Sequence, residues 1–346
     1  MLATLIKSAR LPVLGMALLL SACAQQAARL DSGKWAEYKH QLITSEGRVV
    51  DTGNNHISHS EGQGTGMLLA AAHQDKETFQ RLWRWTRATL QIRSDKLFAW
   101  KWSHDSKSVA DLNNASDGDI LIAWALYRAG RQWRRQDYLD AAREISHDIK
   151  AKLLRRTKRG LVILPAESGF EDTQGTIVNL SYWVFPAFAD FNTFDPAPEW
   201  NELTQSGLHL LETARFGRWR LPPDWLALSA PPALPEKFDP TFGYNAIRIP
   251  LYLVWAKHTD MESLRPFVEF WDFFDGARFI SPSVNLKNNY IDSDDASPGI
   301  RAIIDLTRRT AKGKASKTTR GNNLQDYYSF SLFLLTNLAQ TETAAQ

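Results

Sequence analysis

Three segments of the chain place carboxylates or amides beside glycines or ahead of an apolar stretch, an arrangement that suits sugar binding and proton transfer. In the first, HSEGQGTG at 59–66, three glycines surround Glu61 and an apolar stretch follows. Glycine lets a backbone pass close to a ligand, and a helix N-terminus favours a negative charge. The pattern predicts that Glu61 is either a general acid or a helix cap that accepts backbone N–H bonds.

The second and third segments are NNASDGD at 113–119 and YNAIRIP at 244–250, and each precedes an apolar stretch. The acids and amides around Gly118 suit vicinal sugar hydroxyls, although helix capping or a calcium loop would use the same residues. A calcium loop is the weaker alternative because the EF-hand spacing with its terminal Glu is missing. In the third segment a polar pair, Tyr244 and Asn245, comes before the apolar residues, and alone it indicates little.

Tryptophan is unusually frequent, with 13 residues in 346. Trp100 and Trp102 lie two residues apart in FAWKW at 98–102, between helical patterns. Flat indole faces stack on sugar rings, and they also fill gaps between helices. Both interpretations of this pair remain open from the sequence.

Apolar residues at spacings of three and four predict about eleven helices, separated by loops rich in Gly, Pro, Asn and Asp. Strand alternation is scarce, so the pattern predicts an all-α fold. The segment 120–129 is almost entirely apolar, which is typical of the inner helix of a two-layer barrel. The predicted helices cover 35–42, 62–73, 76–91, 120–129, 138–154, 179–192, 199–215, 244–257, 262–274, 298–310 and 324–339.

Composition is that of a globular protein, with 44% hydrophobic and 23% charged residues. The net charge of +3 shows no bias toward nucleic acid as a partner. Two stretches interrupt the helical pattern. Residues 218–240 carry six prolines, which forbid a continuous helix. Residues 308–320 carry six basic residues and no acid, which predicts a solvated loop or, as the alternative, a site for an anionic polymer.

The N-terminus has the pattern of an export signal. Lys7 and Arg10 precede an apolar run at 11–20 that is too short to span a bilayer. The run ends in LSAC at 20–23, which resembles the lipobox of bacterial lipoproteins, and Cys23 is the single cysteine of the chain. We expect a signal peptide at 1–22, a lipidated Cys23 with a short tether at 23–32, and one domain at 33–346 in the periplasm or at the cell surface. Cys23 as an incidental residue near an ordinary cleavage site is the alternative.

Taken together, the segments around Glu61, Asp117 and Arg248 resemble glycoside hydrolase family 8, and most closely the periplasmic endoglucanases that accompany bacterial cellulose synthesis. The most specific matches are SEGQG with GML at 60–68 and ASDGD at 115–119. The similarity runs from about residue 35 through the final helix. It implies an (α/α)6 barrel with a cleft across the N-termini of its inner helices, and inverting cleavage of a β-1,4-linked glucan.

The resemblance also implies roles for individual residues. Glu61 falls on the general acid and Asp117 on the acid that holds the sugar at the scissile subsite. Tyr182 matches a cleft tyrosine near the water, and Arg248 matches the arginine that follows the catalytic base. The further substrate-binding residues that we predict are Asn114, Tyr244, Trp100 and Trp102.

The sequence departs from the cellulases of this family at the base, where they carry Asp and this chain carries Asn245. A neutral amide can orient a water but cannot accept its proton. Some branches of the family with Asn here, including chitosanases and mixed-linkage glucanases, recruit a carboxylate from a neighbouring loop. The sequence favours Asp239 for that role, although Asp before Pro240 is also typical of a turn. The other candidates are Glu236, Asp292, Asp294 and Asp295.

The leading hypothesis is therefore an endo-β-1,4-glucanase that acts on a polysaccharide. One alternative is a glycan-binding lipoprotein whose catalysis was lost with the base; another is a hydrolase of chitosan or mixed-linkage β-glucan. We expect no metal and no organic cofactor, a β-glucan partner, a membrane contact only through lipidated Cys23, no nucleic acid and a monomer.

Overall fold

The structure is a computed structural model that describes residues 30–172, 175–313, 321 and 323–344. The predicted signal peptide, lipidation at Cys23 and most of the tether lie outside these residues, as does 314–320 of the basic loop. Within the described residues, no helix combines the length and apolar character that crossing a membrane would require.

Eleven α-helices are present in the described residues, and each matches one predicted from the sequence. They are α1 Ser32–Leu42, α2 Ser60–Ala72, α3 Lys76–Thr89, α4 Ser116–Trp133, α5 Gln136–Leu153, α6 Phe185–Phe194, α7 Pro198–Thr213, α8 Arg248–Trp255, α9 Met261–Asp272, α10 Pro298–Ala311 and α11 Tyr327–Ala344.

Side-chain caps explain where several of these helices begin. The carboxylates of Asp31, Asp75 and Asp260 accept backbone N–H bonds in the first turns of α1, α3 and α9. Ser297 does the same for α10, which also has a proline in its first turn. Each cap satisfies a backbone donor that the helix itself leaves unpaired.

The inner helices form a closed ring. Helix α2 packs against α4, α4 against α6, α6 against α8, and α11 closes the ring by packing against both α8 and α2. Helix α10 lies beside α8 and α11 and contacts both. The apolar segment 120–129 belongs to α4 and is buried almost throughout, so the prediction that it is an inner helix is confirmed.

The remaining helices form an outer layer. Helices α1, α3, α5, α7 and α9 pack outside α11, α2, α4, α6 and α10 respectively. They present one apolar face inward and polar residues outward, as a helix with one solvated side does. The result is a two-layer toroid of helices, and the predicted all-α class is confirmed.

In the described part of the chain, nine short strands lie in the loops of the toroid. Each has at most four residues, and the helical periodicity did not predict them. All pair antiparallel, in the orders β1-β2, β3-β4, β5-β6-β7 and β8-β9. Their bounds are β1 Ser58–His59, β2 Lys101–Trp102, β3 Leu154–Thr157, β4 Gly160–Ile163, β5 Glu171–Asp172, β6 Gly175–Val178, β7 Leu226–Ala227, β8 Thr241–Phe242 and β9 Val284–Asn285.

Two predicted helices begin later than the sequence pattern indicated. The first forms a 3-10 turn at Leu180–Tyr182, and α6 starts only at Phe185 because Pro186 favours the first turn of a helix. The second begins at Arg248, because residues 243–247 form a tight turn. Both corrections move polar residues from a helix into the loop at one end of the ring.

The glycines of the first segment serve helix packing. Gly62, Gly64 and Gly66 all lie inside α2, so the expectation that they bend the backbone around a ligand is wrong. A Cβ on Gly64 would lie 2.7 Å from Cβ of Leu121, and one on Gly118 would lie 2.7 Å from the backbone nitrogen of Glu61. The two helices therefore approach each other closely where they carry Glu61 and Asp117.

Substitution of Gly118 tests this close approach. A Cβ there would also lie 2.1 Å from Oγ of Ser60, so Gly118→Ala must push the start of α2 away from α4. We expect a loss of about 1–3 kcal/mol in the free energy of unfolding, measured by urea denaturation. Gly53→Ala is the control, because its Cβ would meet only Asp51 Oδ1 at 3.6 Å. Equal stability of the two variants would contradict the packing argument.

Candidate active site

Arg248 is the centre of a buried polar cluster at the N-terminal ends of the inner helices. Its side chain is 4% exposed. Nη1 donates to Glu61 Oε1 at 2.6 Å and to Asp117 Oδ2 at 3.3 Å. Nη2 donates to Ser181 Oγ and to Asn245 Oδ1, each at 3.1 Å. One guanidinium thus joins residues from α2, α4, the 3-10 turn before α6 and the turn before α8.

Glu61 lies in the first turn of α2, as the sequence predicted, but it does not cap the helix. His59 takes that role, because its Nδ1 accepts the N–H of Gly62 at 3.1 Å. The His59 Nε2 lies 3.3 Å from Asp51, which fixes the ring. The capping alternative for Glu61 is therefore wrong, and its carboxylate is left for Arg248 and the cavity.

Asp117 lies behind Glu61 and is almost fully enclosed, since 2% of its side chain is exposed compared with 29% for Glu61. Burial, and then the neighbouring Glu61 charge, raise the pKa of Asp117 to about 7. Arg248 and the N–H of Gly118 act in the opposite direction. A buried carboxyl that changes protonation near neutrality beside a more exposed carboxylate is typical of acid–base sites.

Both carboxylates face a cavity of about 220 Å³ at this end of the ring. Aromatic side chains form much of its wall, and a further carboxylate, Asp51, lies at its edge. The aromatic lining residues are His59, Trp100, Tyr182, Tyr327 and Tyr328. Aromatic walls around carboxylates suit a sugar ring, which offers apolar faces and a rim of hydroxyls.

The two tyrosines predicted to bind substrate, Tyr182 and Tyr244, occupy different places at this end of the barrel. Tyr182 lines the cavity, and the Arg248 guanidinium lies 5.8 Å from the centre of its ring. Tyr244 lies further out and is 46% exposed, with its hydroxyl 3.3 Å from Asp294. Tyr328 joins the two regions, because it lines the cavity and donates to the Tyr244 carbonyl at 2.6 Å. Sequence reasoning did not assign Tyr328 a role.

The two predicted tryptophans separate. Trp100 lines the cavity, and Asp111 holds its indole N–H at 2.8 Å. Trp102 points elsewhere and packs edge-on against Trp85, with the Arg48 guanidinium 4.9 Å from its ring centre. Stacking on sugar therefore suits Trp100, whereas Trp102 fills the space between a strand and an outer helix.

Asn114 does not present its amide to a ligand, so its assignment as a substrate-binding residue is corrected. Its Nδ2 donates to Asp119 at 2.7 Å and its Oδ1 accepts from Glu167 N–H at 2.7 Å. Asp119 in turn accepts from the N–H of Phe98. The amide NH2 and the amide oxygen are thus both hydrogen-bonded within the protein, where they help connect the loops around residues 98, 114 and 167. The side chain is also buried.

A carboxylate that sequence reasoning missed, Asp224, lies directly under the turn that carries Asn245. Its Oδ1 accepts from the N–H of Gly243 at 3.0 Å and from that of Ala246 at 2.7 Å. Burial raises the pKa of Asp224, against the effect of those two N–H donors. Asp224 belongs to the proline-rich stretch 218–240, next to Trp225. No motif or spacing in that stretch marks Asp224 as functional, so the sequence gave no usable signal.

In the described residues, Asp239 forms no side-chain hydrogen bond or ion pair with this cluster. Its side chain is exposed, and its backbone carbonyl accepts from Thr241 N–H. Glu236 is also exposed. Of the three more distant acids, Asp294 meets Tyr244, Asp292 meets Ser283 and Asp295 pairs with Arg301. Within the described residues, no group of three or more His, Cys, Asp or Glu side chains is arranged to hold a metal ion.

Comparison with known proteins gives a consistent result. The family model for glycosyl hydrolases family 8 matches residues 7–342. A probable endoglucanase of Novacetimonas hansenii is 38% identical over 89% of this chain and 90% of its own length. An endoglucanase of Cellulomonas uda is 37% identical over 83% of this chain and 80% of its own.

Solved structures agree with these relatives. The endo-β-1,4-glucanase CMCax from Acetobacter xylinum matches 90% of this chain and 97% of its own, with a TM-score of 0.83 and 38% identity. The family 8 endoglucanase Cel10 from Klebsiella pneumoniae matches 90% of this chain and 99% of its own, with a TM-score of 0.84 and 34% identity. The toroid of helices is an (α/α)6 barrel, as the resemblance implied.

Removal of the Arg248 charge tests the central cluster. In Arg248→Met, Glu61 and Asp117 lose their shared countercharge inside the protein. We expect the free energy of unfolding to fall by about 3–5 kcal/mol at pH 8, measured by urea denaturation. The loss should shrink at pH 5, where protonation neutralises Asp117. Arg156→Met is the control, because Arg156 is 67% exposed in its ion pair with Glu202. A loss that is small and independent of pH would contradict this account.

Proposed function

Because the chain belongs to glycosyl hydrolases family 8, we propose that it is an endo-β-1,4-glucanase, which cleaves internal linkages of a β-1,4-linked glucan with inversion at the anomeric carbon. The observation that carries the proposal is the pair Glu61 and Asp117 on one buried guanidinium, facing a cavity with aromatic walls. The named endoglucanase relatives support the substrate class.

Glu61 acts as the general acid in this proposal. Arg248 contacts its Oε1, which leaves Oε2 to carry a proton to the leaving glycosidic oxygen. Two carboxylates that share one guanidinium repel each other when both are ionised. Asp117, fixed by α4 and Arg248, supplies the second charge of that pair.

Aromatic side chains position the glucan. Trp100 and Tyr182 offer apolar surfaces to sugar rings on the wall of the cavity. Tyr244 extends the same surface outward through Tyr328, and its ring is largely free of the core. A long polymer needs such binding surface on both sides of the bond that breaks, because binding remote from the reacting centre contributes to catalysis.

Asn245 favours a second candidate, a glycan-binding protein without turnover. An inverting hydrolase needs a proton acceptor roughly 6.5–9.5 Å from its acid, with a water between them. Asn245 lies close to the acid, because Glu61 and Asn245 accept from the two Nη atoms of the same Arg248 guanidinium. An amide, however, accepts no proton. Chitosan and mixed-linkage β-glucan are the alternative substrates.

Turnover separates these candidates. We expect the soluble chain from residue 24 onward to release reducing ends from carboxymethyl cellulose more rapidly than from chitosan. In Glu61→Gln the rate should fall by about 10²–10⁴-fold, because an amide cannot protonate the leaving group. Glu144→Gln is the matched control, since Glu144 is 56% exposed on α5. Glucan binding without turnover by the unmodified chain would instead support the binding protein.

The enzyme is exported and anchored by lipid in this proposal. The basic start, the apolar run and the LSAC sequence that ends at Cys23 support it. Ala24 follows the cysteine, and an acidic residue at this position would have suggested retention in the inner membrane. The glucanase would therefore be an outer-membrane lipoprotein that faces the periplasm or the cell surface and acts as a monomer.

Substitution of the cysteine tests the anchor. In a bacterial host, the full-length chain should sediment with membranes and incorporate labelled palmitate. Cys23→Ser should remove the label and release the protein from the membrane fraction, because no thiol remains to be acylated. Ser21→Ala is the control, since it leaves the thiol in place. Equal membrane association of Cys23→Ser and the unmodified chain would contradict lipid anchoring.

A further inference from the structure

The proposed hydrolase needs a base that Asn245 cannot be, and the exposed Asp239 makes no side-chain hydrogen bond or ion pair with the catalytic cluster in the described residues. Asp224 differs from Asp239 because it is buried and is hydrogen-bonded to the turn at 243–247, which carries Asn245. The residue is 7% exposed, and its carboxylate accepts from the backbone on both sides of Tyr244 and Asn245.

We propose that Asp224 is the catalytic base of this enzyme, and that it accepts the proton of a water that Asn245 holds. This inference rests on the proposed hydrolase activity. It divides between two residues the tasks that one aspartate performs in the cellulases the chain resembles: orienting the water and taking its proton.

The hydrogen bonds of Asp224 identify the oxygen that can react. Oδ1 is occupied by two backbone N–H donors, at 3.0 and 2.7 Å. Oδ2 has only a long contact with the Thr241 hydroxyl, at 3.3 Å, so it keeps the capacity to accept a proton. Gly243 lies against this oxygen, and a Cβ there would come within 3.1 Å of it. A side chain at residue 243 would therefore crowd this oxygen, and glycine avoids that contact.

The surroundings of Asp224 belong to the catalytic cluster. Its negative charge adds to the burial that raises the pKa of Tyr182 and Tyr328, both of which line the cavity. The positive charge of Arg248 acts on Asp224 in turn. Arg248, Tyr182 and Tyr328 are thus charged or titratable neighbours of Asp224, and Arg248 also contacts the acid Glu61.

The asparagine is fixed for the other task. Arg248 Nη2 donates to Asn245 Oδ1, which leaves the NH2 group of the amide to hold the oxygen of a water. In the reaction, the water oxygen bonds to the anomeric carbon and its proton passes to Asp224 Oδ2. The bond from that carbon to the glycosidic oxygen breaks, and Glu61 protonates the departing oxygen. The two carboxyls then exchange one proton through solvent.

Asp224→Asn distinguishes a base from a structural anchor. The amide oxygen of the variant can still accept from Gly243 and Ala246, and its NH2 can donate to the Thr241 hydroxyl, so the turn keeps its hydrogen bonds. If Asp224 is the base, kcat on carboxymethyl cellulose falls by about 10²–10⁴-fold while KM changes little. Asp239→Asn is the matched control from the same loop and should retain full activity.

Introducing a second carboxylate, at residue 245, distinguishes a base from a structural anchor. We expect Asn245→Asp to restore turnover to Asp224→Asn, because the double variant again has a proton acceptor beside the water. The acidic limb of the kcat/KM profile, which reports ionisation of the base, should be present in the unmodified enzyme and lost in Asp224→Asn. Circular dichroism and glucan binding establish that each variant is folded.

The outcomes separate this inference from the proposed function. Full activity of Asp224→Asn would overturn the inference and leave the glucanase intact. Loss of activity that Asn245→Asp does not restore would make Asp224 a structural anchor and would also overturn it. If Asp224→Asn does not fold, the unmodified enzyme decides by its pH profile, and a missing acidic limb counts against the base. An inactive unmodified chain that Asn245→Asp activates would overturn both proposals.

Discussion

The burial of one guanidinium charge determines how this site is built. Arg248 is nearly inaccessible to solvent, so its charge must be compensated by groups that the fold brings to it. Those groups come from four separate elements, and Glu61 and Asp117 supply the negative charge. Each partner restricts the others, because no carboxylate can leave without exposing an uncompensated charge to a medium of low polarity.

The closed ring of inner helices makes this arrangement possible. The N-termini of α2, α4 and α8 meet at one end of the barrel, where Arg248 joins Glu61 and Asp117. The unpaired N–H groups of a helix N-terminus favour anions. Glycines at the α2–α4 contact allow the two acids to approach one guanidinium, and the His59 ring relieves Glu61 of the capping role. Helix packing and proton chemistry are thus parts of the same geometric requirement.

The turn at 243–247 shows how one substitution redistributes chemistry. Asn245 keeps the contact with Arg248 that an aspartate would make, so the cluster remains assembled. Asn245 lacks a carboxylate, but Asp224 has one, and its hydrogen bonds hold the same turn. A site can therefore keep its architecture when its usual base is lost. In the inference above, a residue that supports the turn then accepts the proton.

Sequence alone determined the helices, the all-α class, Glu61 and Asp117, because apolar periodicity and the segments SEGQG and ASDGD are local features of the chain. Tertiary structure decided the rest. Asn114 and Trp102 were predicted at the ligand, yet Asn114 is held by Asp119 and by the distant Glu167, and Trp102 packs against Trp85 of α3; spacing cannot reveal such packing. Asp224 reaches the catalytic turn only because a proline-rich loop folds beneath it, and the burial that distinguishes it from the exposed Asp239 exists only in the folded chain.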